Sequence, residues 1–517
     1  MKDINLELSN FLEDDEFSFI EDNKEIYEND LFFSHSNFKP QVVLLPKSKE
    51  KIKNIIRFAG KHNKKIYIVG GGFSYTNSYS PEIEDSLLID LSRLNKVIEV
   101  NKVSRYVIVE AGCTWKKLYE ELSVYDMIVD FPAPLSGSHS TVGGAISQGV
   151  PGGMHGVLGL EVILPNNTLI RTGSWALKNK LKPFYRNYGP DTSGLFIGDN
   201  GIYGIKLSAA LHLKPRQKGK AYASFDFQSY DDLAQTMIEL SQFDFIVRRT
   251  GLDPYETRNI SKVGLGDGIK TVLESLKENE SLFKKLSNTV SLLKTGISFL
   301  NECNWTLHLK VDGINDEHAE ISMQQAREVC QKKSREIPSI LPRARDLVGF
   351  SIRKFLGPNG ERWVATSGLF PIEESKDIAQ KVQLFFKKEK QNMEKFNVMH
   401  SFITNFSQYY FLCEPCFYWN DKLSIKHLNN LSHYEREKFS TFPENPSTRS
   451  YVVELRNRLR EFFFTHGAVH VQIGNFYNFR DSLDDNYINF LSLIKNTLDP
   501  NIILNPGKLD SIGIEDK

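Results

Sequence analysis

The chain has 517 residues, 64 of them basic and 64 acidic, so its formal net charge is zero at pH 7. That balance excludes a broad electrostatic attraction to nucleic acid or to an anionic membrane surface. Five cysteines are too few for a disulfide scaffold at this length. With 40% apolar and 25% charged side chains the composition is that of a soluble globular protein. At about 150 residues per domain it implies two or three domains.

The N-terminus reads MKDINLELSNFLEDDEF. It lacks the basic-then-apolar order of a secretory signal, and its acids argue against a transit peptide. No apolar run approaches the ~20 residues that span a bilayer. The expected location is the cytoplasm, with membrane contact at most peripheral. Residues 1–40 read as a helical, surface-lying lead-in.

The pattern then alternates. Residues 42–45 form a short apolar run stopped by Pro46, and Ile52, Ile55, Ile56 and Ala59 follow at helical spacing. Residues 65–69 read as a strand that runs into Gly70-Gly71-Gly72. Residues 87–91 and 104–110 read as strands, and 114–122 as a helix turning Trp115 and Leu118 inward. Residues 132–160 are too long and too glycine-rich for a simple linker. Residues 158–171 carry a hairpin signal around Asn166-Asn167. The charged stretch 214–220, broken by Pro215 and Gly219, marks a domain boundary.

Beyond Ala221 the chain alternates strand and helix: strand 223–227, helix 229–243, strand 305–311, helix 316–333, strand 362–370, helix 372–386. This predicts an antiparallel sheet with helices on one face. Residues 455–517 read as a last unit, with a helix at 452–465, a strand at 468–473 and a helix at 486–498. The fold class is α+β. The domains are a lead-in (1–40), a first domain (41–220), a second (221–454) and a C-terminal segment that returns to the first (455–517).

Two glycine sites stand out. In IYIVGGGFSYTN (66–77) a strand feeds three glycines and then Ser74, Thr76 and Asn77. Lacking Cβ atoms, glycines let backbone N–H groups approach an anion. Phe73 and Tyr75 exclude the dinucleotide fingerprint, and no Lys-Ser/Thr pair closes a P-loop. A tight turn serves equally well for this segment alone. In SGSHSTVGGAISQG (136–149) Gly143-Gly144 lie between hydroxyl residues and a helix-prone run. Two such loops in one α/β domain point to a diphosphate held from both sides.

GGGFS (70–74), EAGCTW (110–115), STVGGAIS (140–147), HGVLGLEVILPNNTLIRTGS (155–174), GPDTSGLFIGDNGIYGIKLSAALHLKP (189–215) and LDPNIILNPGKL (498–509) occur in this order. Together they resemble the FAD-linked oxidases of the vanillyl-alcohol oxidase type, with a FAD-binding domain of the p-cresol methylhydroxylase kind. The similarity is strongest to the D-lactate/glycolate dehydrogenase branch and covers mainly residues 41–216. The resemblance implies a two-subdomain FAD domain, a cap over the flavin ring, and a return of the chain to the FAD domain. It places Gly70, Gly71, Gly72, Phe73, Ser74, Thr141, Val142, Gly143 and Gly144 at the diphosphate, with Tyr75 also binding the cofactor. Pro132, Gly137 and Ser147 line the same cleft. His155, Gly156, Val157, Gly201, Ile202 and Ile205 lie beside the ribityl or adenine portion.

The chain also departs from that pattern. Phe73 stands where many relatives tether the flavin through a histidine. Val469-His470 stands where the phenol-oxidising relatives have a Tyr-Arg pair. The strand expected at 468–474 puts His470 and Gln472 on one face and Val469, Val471 and Ile473 on the other. His470 is the expected base and Gln472 the substrate holder. Tyr477 is a further candidate, and Arg362 the candidate for a substrate carboxylate, in competition with Arg353 and Arg456. His400 and Trp305–His308 belong to strands of the second domain, where packing is the commoner role. Cys413-Glu-Pro-Cys416 lacks further ligands for zinc and reads as structural, so no metal is expected. The expected activity is hydride transfer to FAD from a small hydroxylated substrate, a D-2-hydroxy acid such as D-lactate or glycolate. Alternatives are an alkylphenol, alditol or sugar oxidase, or a non-catalytic flavin-binding subunit. A cytochrome, a quinone, an electron-transfer flavoprotein or oxygen would accept the electrons.

Overall fold

The structure, a computed structural model, describes residues 2–27, 30–32, 38–130, 136–150, 154–179, 182–262, 298–348, 350, 355–431, 433–510 and 512. The chain divides into two units: Met1–Arg216 with Ser424–Lys426 and Val471–Lys517, and Gln217–Leu423 with His427–His470. The helix Pro446–Thr465, which spans the expected boundary at 454/455, lies in the second unit.

In the first unit the lead-in does more than lie on the surface. Helix α1 (Lys2–Leu8) buries Leu8, and β1 (Phe17–Phe19) pairs antiparallel with β2 (Pro40–Leu44) before α2 (Ile20–Tyr27). The acidic look of the segment hides this, because Glu16 is buried and its carboxylate takes the Lys47 amide at 2.8 Å. Helix α3 (Lys49–Lys61) starts at Ser48, whose side chain accepts the Lys51 amide. Its Ile52, Ile55, Ile56 and Ala59 are buried, and each isoleucine contributes about 1.5–3 kcal/mol relative to exposure. They cover a sheet in which β3 (Ile66–Val69) and β2 flank β4 (Ser86–Asp90) in parallel.

The second sheet of this unit is antiparallel, ordered β5 (Val97–Asn101), β6 (Tyr106–Glu110), β10 (Ile205–Pro215), β8 (Val157–Ile163), β9 (Leu169–Arg171), with β7 (Met127–Val129) also on β10. The β8–β9 hairpin turns where expected, with Asn167 at φ +69°. Helix α4 (Trp115–Ser123) is capped by Thr114 and buries Trp115 and Leu118. Helix α5 is short (Val142–Ser147).

The C-terminal stretch is stitched into this unit by buried polar groups. Past α12 (Asp485–Leu498; α6–α11 belong to the second unit), Leu504 forms a parallel bridge with Ile66. Asn505 accepts the Ile68 amide at 3.1 Å and donates to the Asn200 carbonyl at 2.7 Å. Lys495 donates to the carbonyls of Ile202 and Leu504 at 2.7 and 2.9 Å and to Asp499 at 2.6 Å.

The second unit is built on an eight-stranded antiparallel sheet: β14 (Arg335–Ile337), β11 (Gly219–Phe227), β13 (Trp305–Gly313), β12 (Ile246–Leu252), β17 (Met399–Phe406), β18 (Tyr410–Trp419) and β15 (Arg362–Ala365), with β16 (Gly368–Pro371) also on β18. The expected strand 362–370 is thus two strands. Alternation divides the faces. Ala221, Ala223, Phe225, Leu307, Leu309 and Val311 form an apolar face. It is covered by α6 (Tyr230–Leu240), α8 (Asp316–Cys330) and α10 (Ser375–Lys395). The expectation of helices on one face only fails here. Helices α7 (Pro254–Lys262) and α9 (Ile340–Val348) reach the polar face, through Glu256 to Tyr418 and Asp346 to Tyr222. The last helix of this unit is α11, Pro446–Thr465.

The strand expected at 468–474 is absent. Only Val469 makes an isolated bridge, to Leu369, and Gln472 is left-handed at φ +55°. The alternating Val-His-Val-Gln pattern imitates a strand without a partner to pair it.

Candidate functional site: two glycine loops and a polar sheet face

The two glycine loops meet. A Cβ on Gly70 would overlap the Thr141 hydroxyl, and one on Gly71 would overlap the His139 carbonyl. Gly72 sits at φ +68°, a conformation glycine adopts without strain. The amides of Gly71 and Gly72 donate to no described residue. On the other loop, Thr141 accepts the Gly144 amide at 3.2 Å. Val142 and Gly143 donate to the carbonyls of Cys113 and Ala111, and Gly143 has no room for a side chain against Ala111. Gly144 is more open, its virtual Cβ meeting only Thr141 Oγ1 at 3.1 Å.

Around the loops, Phe73 stacks on His139 with ring centroids 4.4 Å apart. Ser74 Oγ accepts the Thr76 amide at 3.2 Å, and Tyr75 is half-buried. The Gly137 carbonyl accepts the Lys116 amide and that of Ser147 accepts Asn200. Pro132 lies outside the described residues. Gly156 and Val157 line a small cleft with Val129, Asp130, Met154 and His212. His155 is largely exposed, with Nε2 3.6 Å from Asp130. Gly201, at φ +75°, leaves no space for a Cβ against Asn505. Ile202 and Ile205 are wholly enclosed, Ile205 in the core with Leu87 and Ile163, so their side chains pack.

The second unit's polar sheet face gathers the other ionisable groups. Tyr222, Ser224, Lys310, His308, Arg248, Thr250, Asn405, Glu414 and Tyr418 share it by register. Tyr418 donates to Glu256 at 2.5 Å, and burial together with that carboxylate holds its pKa well above the ordinary value. His308 bonds Ser224 at 2.8 Å and Thr306 at 3.1 Å, and burial pulls its pKa down to about 3.

Arg362 does not reach this face. It is wholly buried on the opposite one, 5.5 Å from the Trp419 ring, with Nη1 directed to the Lys422 carbonyl. Arg456 is buried against Ala365 and Thr366, and Arg353 lies outside the described residues. His400 packs on the helix side, stacked on Phe386 at 4.0 Å. Cys413 and Cys416 are buried free thiols.

His470 is half-buried in the second unit. Its Nδ1 lies 2.9 Å from the Ser367 carbonyl. A carbonyl only accepts, so Nδ1 carries the proton and Nε2 the lone pair in the neutral ring. Burial is the main cause that lowers its pKa, to about 4, with the Ser367 bond opposing. Gln472 and Tyr477 belong to the first unit. The Gln472 amide donates to the Gln148 carbonyl, and Tyr477 is buried against Phe476. The expected shared face of His470 and Gln472 is therefore not formed by strand geometry.

Residues 40–173 match the family described as FAD binding domain. The mitochondrial D-lactate dehydrogenase [cytochrome] 1 of Saccharomyces cerevisiae is 26% identical over 200 residues, 36% of this chain and 32% of that protein. The glycolate oxidase subunit GlcD of Bacillus subtilis is 26% identical over 250 residues, 45% of this chain and 50% of that one. The chain therefore spans about a third to a half of the length of these relatives. A solved structure of p-cresol methylhydroxylase with substrate bound covers 100% of the chain at TM-score 0.75 and 17% identity, and 98% of that structure is covered. Residues 40–173 are therefore a FAD-binding domain, and the fold is that of p-cresol methylhydroxylase. Its cofactor is FAD.

The loops fit the cofactor. A diphosphate needs donors, and the Gly71 and Gly72 amides have no other described partner. Sequence reading missed Lys426. It comes from the short return Ser424–Lys426, donates to the Tyr79 hydroxyl and lies 4.7 Å from that ring's centroid. Its Nζ would stand 3.3 Å from a Cβ on Gly72, and burial pushes its pKa down to about 8. No local signal in the sequence marks a lysine so far from the glycine run. Phe73 offers no nucleophile for a flavin bond. Acid precipitation and peptide mapping are expected to yield no flavinylated peptide through residue 73, and one that did would contradict the assignment. No helix among the described residues is long and apolar enough to cross a membrane.

Proposed function

We propose that the protein is an FAD-dependent oxidoreductase that oxidises a D-2-hydroxy acid such as D-lactate or glycolate. The observation that carries the reading is the direct apposition of the two glycine loops, with the Gly71 and Gly72 amides left to donate. Bound FAD supplies the hydride acceptor. Gly70, Gly71, Gly72, Thr141, Gly143 and Gly144 hold the diphosphate in this reading, and Gly156 and Val157 border the nucleotide side. His470 accepts the substrate hydroxyl proton at Nε2, the lone-pair nitrogen set by the Ser367 bond. The D-lactate dehydrogenase and glycolate oxidase activities named for the yeast and Bacillus relatives support the hydroxy-acid class, and the yeast enzyme's name supports a cytochrome as electron acceptor. Val469-His470, in place of the Tyr-Arg pair that the sequence resemblance implies for phenol-oxidising relatives, argues against an alkylphenol.

Anaerobic bleaching of the purified protein by a substrate panel tests this reading. D-lactate, glycolate and D-2-hydroxyglutarate are expected to bleach the flavin, and 4-cresol is not. Bleaching by 4-cresol alone would replace hydroxy acid by phenol. The cofactor site is tested separately. Gly144 has the space to take a side chain without a backbone collision, so Gly144→Trp is expected to fold yet lose FAD, seen as a colourless protein. A wild-type protein that fails to take up added FAD would end the reading.

A further inference from the structure

Neither glycine loop carries a lysine or arginine of its own. The short return Ser424–Lys426, which belongs to the first unit, brings one to the turn at Gly72. The Lys426 ammonium donates to the Tyr79 hydroxyl, and that hydroxyl donates in turn to the Gly72 carbonyl at 3.2 Å. Tyr79 is buried, with Lys426 Nζ 4.7 Å from its ring centroid. A Cβ on Gly72 would stand 3.3 Å from the same Nζ. Lys426 as a whole is half-buried, and its charged end is the part held against Tyr79 and Gly72. In a planar trans peptide the carbonyl and the following amide point in opposite directions. With the Gly72 carbonyl turned to Tyr79, the next amide is aimed away from it. Tyr79 and Lys426 thus stand on the carbonyl side of this peptide, and an anion taken by its amide stands on the other.

Two carboxylates attract the lysine, Asp30 and Asp90. Both are buried, and both hold other donors. Asp30 takes the Phe32 and Asn77 amides at 2.8 and 3.0 Å, and Asp90 takes the Tyr27 hydroxyl at 2.7 Å and the Ser92 amide at 2.8 Å. Burial outweighs their attraction and brings the Lys426 pKa to about 8. The other shifted groups around the turn move out of the range between pH 7 and pH 9. Burial pushes the Tyr27 and Tyr79 hydroxyls up, and it pulls down His139, which stacks on Phe73.

We propose that Lys426 is the positioning cation of the FAD site: placed behind the Gly70–Gly72 turn, it supplies the positive charge that balances the diphosphate, and it takes up a proton when FAD binds above neutral pH. The inference rests on the placement of the diphosphate at the glycine loops. Backbone amides give directional hydrogen bonds but only partial charge, whereas an ammonium a few ångströms behind them acts through space. An anion brought to the turn favours the charged lysine, so the pKa of Lys426 is higher with FAD bound than without it. Below pH 8 the lysine is already charged in the apoprotein, and binding is at full strength. Above pH 8 it must take up a proton on binding, and affinity falls by up to about tenfold per pH unit.

FAD titrated into the full-length apoprotein, followed by quenching of its fluorescence, tests the proposal. The wild type is expected to bind about tenfold more weakly at pH 9 than at pH 7. Lys426→Met is expected to bind on the order of tenfold or more weakly than the wild type at pH 7, and no differently at pH 9 than at pH 7. Lys426→Arg stays charged throughout, so it should keep about the wild-type pH 7 affinity at both pH values, and it serves if the methionine variant does not fold. Calorimetry in two buffers of different ionisation heat reads the proton itself. Uptake on binding should approach one proton per FAD in the wild type at pH 9 and be absent in Lys426→Arg. A lysine that merely packs would leave the pH dependence the same in all three proteins. That result, a wild-type affinity level from pH 7 to pH 9, or equal affinity of wild type and Lys426→Met at pH 7 overturns the role of Lys426 while FAD still binds. A wild type that takes up no FAD overturns the placement of the diphosphate, and the role of Lys426 with it.

Discussion

His470→Ala is expected to retain FAD and to slow flavin reduction by substrate about a hundredfold or more, the usual cost of losing a positioned base. The Ser367 carbonyl fixes which nitrogen accepts. Alanine removes the acceptor without touching the glycine loops. The pH profile discriminates further. An imidazole with its ordinary value near 6.5 would lose the rate as pH falls through 6.5. Burial brings His470 to about 4. The ring is then neutral and able to accept across pH 5–8. The limiting reduction rate should be level over that range and fall only as pH approaches 4. A break near 6.5 would place the base elsewhere, and an unchanged rate in His470→Ala would reduce His470 to packing. The search would then move to Tyr418, whose hydroxyl is held by Glu256 on the polar face. It would not move to His400, which is stacked on Phe386 on the helix side. Gln472→Ala should act on substrate half-saturation more than on the limiting rate, the role expected of it from sequence.

The glycine loops were legible because their signal is local. A strand, three glycines and hydroxyl residues stand together, and the structure shows why side chains are excluded: Gly70 and Gly71 abut Thr141 and His139. The Asn166-Asn167 hairpin and the alternation of β11 were legible for the same reason. Illegible features depend on pairing across long stretches of chain. The 468–474 segment has the period of a strand, but a strand needs hydrogen-bonded neighbours, and only Leu369 is provided. Lys495 and Asn505 look like ordinary surface polar residues, yet they satisfy carbonyls at Ile202 and Asn200, about three hundred residues earlier. Arg362 could not be placed from sequence. The register of β15 on β18 turns it to the Trp419 side of the sheet.

Acid is expected to act on the second unit partly through His400, and His400→Phe should isolate that contribution. The ring is stacked on Phe386, and burial lowers its pKa from the ordinary 6.5 to about 4. The unfolded chain takes up a proton as pH falls below 6.5, while the folded chain resists until about 4. A depressed folded pKa therefore leaves stability intact above 6.5 and removes it progressively as pH falls towards 4. Between pH 7 and pH 5 the loss is about 2 kcal/mol for this one group. His308, lowered to about 3 by burial, adds a loss of the same sign. Asp253 has the opposite sign. Burial raises its pKa to about 8, so the folded chain holds a proton that the unfolded carboxylate releases. Its contribution grows as pH falls below 8 and offsets the histidines, so the wild-type stability alone is a poor reporter. The comparison with His400→Phe removes one histidine and keeps an aromatic stack. In urea unfolding followed by tryptophan fluorescence, the variant should gain on the wild type by about 2 kcal/mol between pH 7 and pH 5. A difference that stays constant across that range would mean that His400 titrates alike in the folded and unfolded chains, and that its stacking on Phe386 leaves it open to solvent.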